Sequence, residues 1–137
     1  MKEFGVTTRK RHEFVDITGD VARIVKEEGL MEGTVVVFVP HTTAGVTINE
    51  GADPAVALDI VSALKEVVPE DFDYHHLEGN SPAHIKATLT GSSVQVIVSG
   101  ARMCLGTWQK VFFCEYDGPR NRKVWVQTLG DRKTAST

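Results

Sequence analysis

The chain has 137 residues, 42% of them hydrophobic, and a formal net charge of −3. That length suits one domain, residues 1–137, with a core of its own. The mild acidity excludes the broad basic surface that non-specific nucleic-acid binding needs, and no apolar run approaches the roughly 20 residues of a membrane-spanning helix.

Residues 2–9 and 13–17 read as two short strands, with Arg9, Lys10 and Arg11 between them. Thr18 is placed to cap a helix over about 19–28, with Val21, Ile24 and Val25 on one face and Gly29 ending it. The run Thr34–Val39 is β-branched and aromatic throughout, as in a strand buried on both faces. Pro40 stops it and presents His41. Residues 43–49 read as a further strand, paired or folded back near the previous one. Asp53 followed by Pro54 starts a helix, since an oxygen-bearing cap precedes a proline at the first helical position. That helix runs to about Val68, with Ala57, Ile60, Val61, Leu64 and Val68 as its apolar stripe.

Residues 70–82 form a loop. Ser81-Pro82 opens a short helix to about Leu89, and Gly91 closes it. Val94, Val96 and Val98 alternate along a strand, and residues 100–102 turn the chain. Residues 109–116 and 123–128 read as the last strands, and the turn formers at 117–121 suggest that they make a hairpin. The tail 131–137 reads as polar and frayed. Strands and helices do not alternate strictly, which predicts an α+β fold with antiparallel sheets.

Cys104 and Cys114 lie ten apart, and Cys114 sits in the apolar run VFFCEY, where a buried free thiol is expected. The polar N-terminus lacks a secretory pattern, so a reducing, cytoplasmic setting is expected.

Four of the five histidines fall in two polar segments, HTTAGVTINEGADP and DYHHLEGNSPAH. His41 stands at a strand end, where it either lines a cleft as acid, base or ligand, or caps the strand through one hydrogen bond. Asp53 is explained by helix capping. Glu50, beside Gly51, has no such role and reads as a base, a ligand or a solvated turn acid. His76 and His84 are eight apart with Glu78 between, outside the standard zinc spacings. The break at Gly79-Asn80 would let both rings face inward. Trp108 either walls a pocket or anchors a core, and Gln109 could hydrogen-bond a ligand. Arg120, after Gly118-Pro119, either clamps a phosphate or carboxylate or is a surface loop charge, and Lys86 could serve an anion. No nucleotide-binding glycine loop, nucleophile elbow or paired-cysteine motif is present in the sequence.

Three stretches, HTTAGVTINEGADP, HLEGNSPAHIKATLTGSSV and LGTWQKVFFCEYDGPRNRKV, closely resemble the YjbQ-like family in order and spacing, over about residues 4–127. This is also called the secondary thiamine-phosphate synthase family. The resemblance implies a sandwich of antiparallel sheets with flanking helices, a homotrimer, and a site centred on His41, His84 and one of His75 or His76. His76 is preferred because it stands in His-x-Glu-Gly-Asn. Glu50 and Asp53 would lie nearby, with Gln109, Lys86 and Arg120 as a second tier.

The implied reaction joins a pyrimidine diphosphate to a thiazole phosphate with loss of pyrophosphate. Diphosphate chemistry calls for Mg²⁺ and basic residues, whereas three imidazoles at His41, His76 and His84 suit Zn²⁺ better. The expected catalytic set is His41, Glu50, His84 and Gln109, acting on a small phosphorylated substrate. Two other readings compete: a hydrolase using metal-activated water with Glu50 as base, and a non-catalytic trimeric module that holds a metabolite or metal.

Overall fold

The computed structural model describes residues 1–134. Eight strands and three helices follow in the order β1 (Lys2–Thr7), β2 (Glu13–Asp16), α1 (Thr18–Glu27), β3 (Leu30–Phe38), β4 (Ala44–Glu50), α2 (Pro54–Val67), α3 (Ser81–Thr90), β5 (Ser93–Ser99), β6 (Arg102–Met103), β7 (Gln109–Glu115) and β8 (Asn121–Arg132). Five strands make one antiparallel sheet in the order β1-β8-β3-β5-β6, and three make a second in the order β2-β7-β4. The expected α+β sandwich with flanking helices is therefore what forms.

Alternation along the strands decides which side chains meet. Val35 and Val37 of β3, Val96 and Val98 of β5, and Val124 and Val126 of β8 point from the five-stranded sheet into one core. Val46 of β4 and Val111 and Phe113 of β7 point into it from the other side. Val21, Ile24 and Val25 of α1 are buried in the same cluster. On the opposite face of the small sheet, Phe112, Cys114 and Tyr116 pack with Ala83 and Ala87 of α3 and Leu64 of α2. That face is a second, smaller core, roofed by the two later helices.

Several expectations change. β3 is buried on one face only: Val35 and Val37 are sealed, while Phe38 is 39% exposed and stacks on Trp125. Among the described residues, no layer covers the outer face of the large sheet, and Phe38, Ile97 and Leu129 stand exposed. β4 does not fold back on β3. It pairs with β7 in the other sheet. Strands β7 and β8 do not form a hairpin either. β7 pairs with β2 and β4, and β8 with β1 and β3, so residues 117–120 cross between sheets. Thr18 does not cap α1: its hydroxyl accepts from Val111 N–H at 2.8 Å and ties the helix to β7. Asp53 does cap α2, accepting from Ala55 N–H at 2.9 Å. Of the tail expected to fray, Asp131 and Arg132 belong to β8, and residues 135–137 lie outside the described residues. Both thiols are free, Cys114 buried and Cys104 exposed. No described helix is long and apolar enough to cross a membrane.

Candidate functional site

The site begins where β4 approaches α3. A Cβ at Gly45 would lie 2.6 Å from the Gly91 carbonyl oxygen, so only glycine lets the two backbones come this close. Gly91 itself ends α3 at φ +97°, a conformation that favours glycine, and its carbonyl accepts from Val46 N–H at 3.1 Å. This clasp seats α3 beside the His41 segment. His84, Ala87, Thr88 and Gly91 then line one stripe at helical spacing. Together with His41, Thr42, Ala44 and Ser92 they enclose a hollow of about 390 Å³. The two sequence-distant polar segments do meet here.

His41 is fixed by a main-chain hydrogen bond, Lys123 N–H donating to its Nε2 at 2.9 Å. A neutral imidazole has one donor and one acceptor nitrogen, so the proton sits on Nδ1. Burial, and then the nearby Arg122 guanidinium, hold its pKa below the ordinary histidine value. His41 is thus a neutral ring offering a single N–H. Behind it lies a buried ion pair. Arg122 Nε donates to Glu115 at 3.0 Å, Arg122 also donates to Thr43 Oγ1 at 2.9 Å, and Thr8 Oγ1 donates to Glu115 at 2.8 Å. Arg122 and Glu115 have side-chain exposures of 5% and 0%.

His84 stands between this hollow and a second one of about 270 Å³, which it lines with Tyr74, His76, Ser81 and Ile85. The His76 and His84 rings meet edge to face at 5.1 Å. His76 also lies 3.8 Å from Glu78. Of the histidine doublet, then, His76 is the one placed against His84.

The three-imidazole metal set does not assemble within one chain. The Nε2 of His41 is already used, and a ligating Nδ1 would have to lose its proton. No three His, Cys, Asp or Glu side chains among the described residues gather closely enough to hold an ion.

Other expected members lie elsewhere. Lys86 is a correction. Two residues along a helix is a rotation of about 200°, so Lys86 points away from the His84 stripe. Its side chain is fully buried, with Nζ 2.8 Å from His12 Nε2 and 3.6 Å from Glu70. Glu50 ends β4, six residue steps or about 20 Å from Ala44, Asp53 follows it in the next turn, and both line a different cavity. Gln109 uses its side-chain amide oxygen, Oε1, to accept from Gly106 N–H at 2.7 Å, closing its own turn. Trp108 is 62% exposed and anchors no core. Arg120 is engaged by Asp117, at 2.8 Å to both its carbonyl and its carboxylate oxygen.

Sequence reasoning missed His12 and the Glu115–Arg122 pair. Both were legible by strand period. His12 shares its face with Phe14, and Arg122 shares its face with the buried Val124 and Val126.

Two antiparallel sheets with two helices roofing the smaller one, and a histidine hollow at their clasp, define the class as an α+β sandwich. The family model described as UPF0047 protein YjbQ-like matches residues 2–131, and the chain belongs to this family. It is 46% identical over 130 residues to UPF0047 protein MJ1081 of Methanocaldococcus jannaschii, covering 95% of this chain and 94% of that one. It is 44% identical to UPF0047 protein YugU of Bacillus subtilis, covering 95% of this chain and 99% of that one. Among solved structures, an uncharacterized conserved protein of Clostridium acetobutylicum superposes with a TM-score of 0.93 at 51% identity, covering 94% of this chain and 100% of that one.

Proposed function

We propose that the hollow between His41 and His84 binds the phosphate end of a small metabolite, and that the chain is a thiamine-phosphate synthase-like transferase. The observation that carries this reading is the donor set. The neutral His41 is arranged to give a hydrogen from Nδ1, and His84 and the hydroxyls of Thr42 and Ser92 line the same wall, while Thr88 spends its proton on the His84 carbonyl at 2.9 Å. No carboxylate among the described residues lines it to repel an anion.

In the reaction, the bond from the pyrimidine methylene carbon to the diphosphate oxygen breaks. Pyrophosphate leaves with the electron pair, and the thiazole nitrogen closes on the same carbon. The work assigned to this chain is to hold the diphosphate oxygens as charge grows on them. The proposal gives the histidines to hydrogen bonding with phosphate and not to a metal ion.

The reading includes a homotrimer. Phe38, Trp125, Ile97 and Leu129 stand on the uncovered face of the large sheet, and exposed apolar patches of this kind suit burial between subunits. Two free thiols, one exposed, suit a reducing cytoplasm.

The test is incubation of purified protein with the two precursors, reading thiamine phosphate by chromatography. Product should form with the native chain and be lost in His41→Ala and His84→Ala. Product at undiminished rate in both variants would remove the assignment. Light scattering should give a particle of three chains; a monomer would remove the trimer.

A further inference from the structure

A further cavity, of about 320 Å³, lies between β2, β7 and the first turns of α2. That volume is at the lower end of small-molecule sites. Its floor is aromatic: Phe14 and Phe112, ring centres 6.0 Å apart and tilted by 40°, with Ala57 and Val61 beside them.

Its polar wall has an unusual balance. His12 lines the cavity with its Nε2 already held by the Lys86 ammonium, which leaves Nδ1–H as its remaining donor. Lys86 faces Glu70 on its other side, so its charge is locally balanced. Four carboxylates, Glu13, Asp16, Glu50 and Asp53, line the rim against one cation, Lys10. Three of them spend one oxygen on a backbone N–H, from Arg9, Thr18 and Ala55 respectively. The Glu50 carboxylate has no hydrogen-bond or ion-pair partner among the described residues.

We propose that this cavity is a binding site for a small aromatic or heteroaromatic cation, its ring on Phe14 and Phe112 and its charged nitrogen at Glu50 and Asp53. A flat ring matches the aromatic floor, and a positive charge gains both from the acidic rim and from the ring faces. An anion would meet a net surplus of three negative charges at the rim. A purely apolar ligand would strip water from carboxylates without replacing it. A bare metal ion finds no three of these acids converging. This site is separate from the His41–His84 hollow and opposite in character, taking a cation where the other offers hydrogen-bond donors. It stands whether or not the transferase reading does.

The experiment is a titration of the folded chain with benzamidine, followed by nuclear magnetic resonance, with benzoate as an anion of the same shape. Benzamidine should shift the Phe14 and Phe112 ring signals and the amides of residues 50–53 saturably, and benzoate should not. The double variant Glu50→Gln, Asp53→Asn keeps a capping oxygen at position 53 and should bind benzamidine at least about tenfold more weakly. Glu50→Gln alone, which touches no cap, should show a smaller loss in the same direction. Absence of saturable shifts at these residues, equal response to benzoate, or unchanged affinity in both variants would each overturn the proposal.

Discussion

Lys86 and His12 are 74 residues apart in the chain, and their side-chain nitrogens lie 2.8 Å apart in the fold. The contact joins α3 to the segment just before β2 and hides an ammonium group completely from water. It also sets the chemistry of both partners. An ammonium donating to Nε2 forbids a second proton there, so His12 stays neutral. Burial, followed by the Lys86 charge, lowers its pKa to about 4. Burial likewise pulls Lys86 below the usual lysine value, with Glu70 opposing.

Replacing the lysine separates these causes. In Lys86→Met the cationic neighbour is gone while much of the burial remains. The His12 pKa should therefore rise from about 4 partway toward 6.5. A titration of the His12 ring signals reads it directly, and an unmoved midpoint would show that Lys86 does not act on His12.

The same shift makes stability depend on pH. Above pH 6.5 neither folded nor unfolded His12 is protonated, and its contribution is complete. Between 6.5 and about 4 the unfolded chain binds a proton that the folded chain refuses, so stability falls as pH falls through that window. Melting temperatures measured from pH 7 to 4 should drop less steeply in His12→Gln than in the native chain. Parallel curves would contradict this.

The buried pair behind His41 should be costly to break from one side. Arg122→Met leaves the Glu115 carboxylate with no counter-charge in the core, and such changes cost about 3–5 kcal/mol. Urea unfolding should show the loss as a lower midpoint with little change in slope. A loss under 1 kcal/mol would mean that water reaches the carboxylate.

The cap of α2 is separable from any role in binding. Asp53→Ala should lose about 1 kcal/mol, and Asp53→Asn almost none, because asparagine offers the same acceptor to Ala55 N–H. Equal losses in both would point to the charge and not the cap.

Local signals carried far along this chain. Asp53-Pro54 marks the start of α2, Gly91 marks the end of α3, and the valine alternation at 94–98 marks β5. Each depends on neighbours within a few residues. What escaped were relations between distant elements. The turn formers at 117–121 mark a reversal, but nothing local says that the next strand joins the other sheet. Lys86 lies close to His84 in sequence, yet the helix turns it to the opposite side. The His41–His84 meeting was foreseen through motif resemblance, and the Gly45–Gly91 approach that produces it became visible only in three dimensions. Glu50 and Gln109 face each other across β4 and β7, and the length of β4 holds that pair about 20 Å from the Ala44 end where the histidine hollow lies.

The central claim is that the His41–His84 hollow receives phosphate. The most direct measurement is a titration of the folded chain with inorganic pyrophosphate, following backbone amides and histidine ring signals. Saturable shifts at His41, His84, Ser92 and Lys123, abolished in His84→Ala, are the expected result. Shifts absent from those residues, or persisting unchanged in that variant, would contradict it.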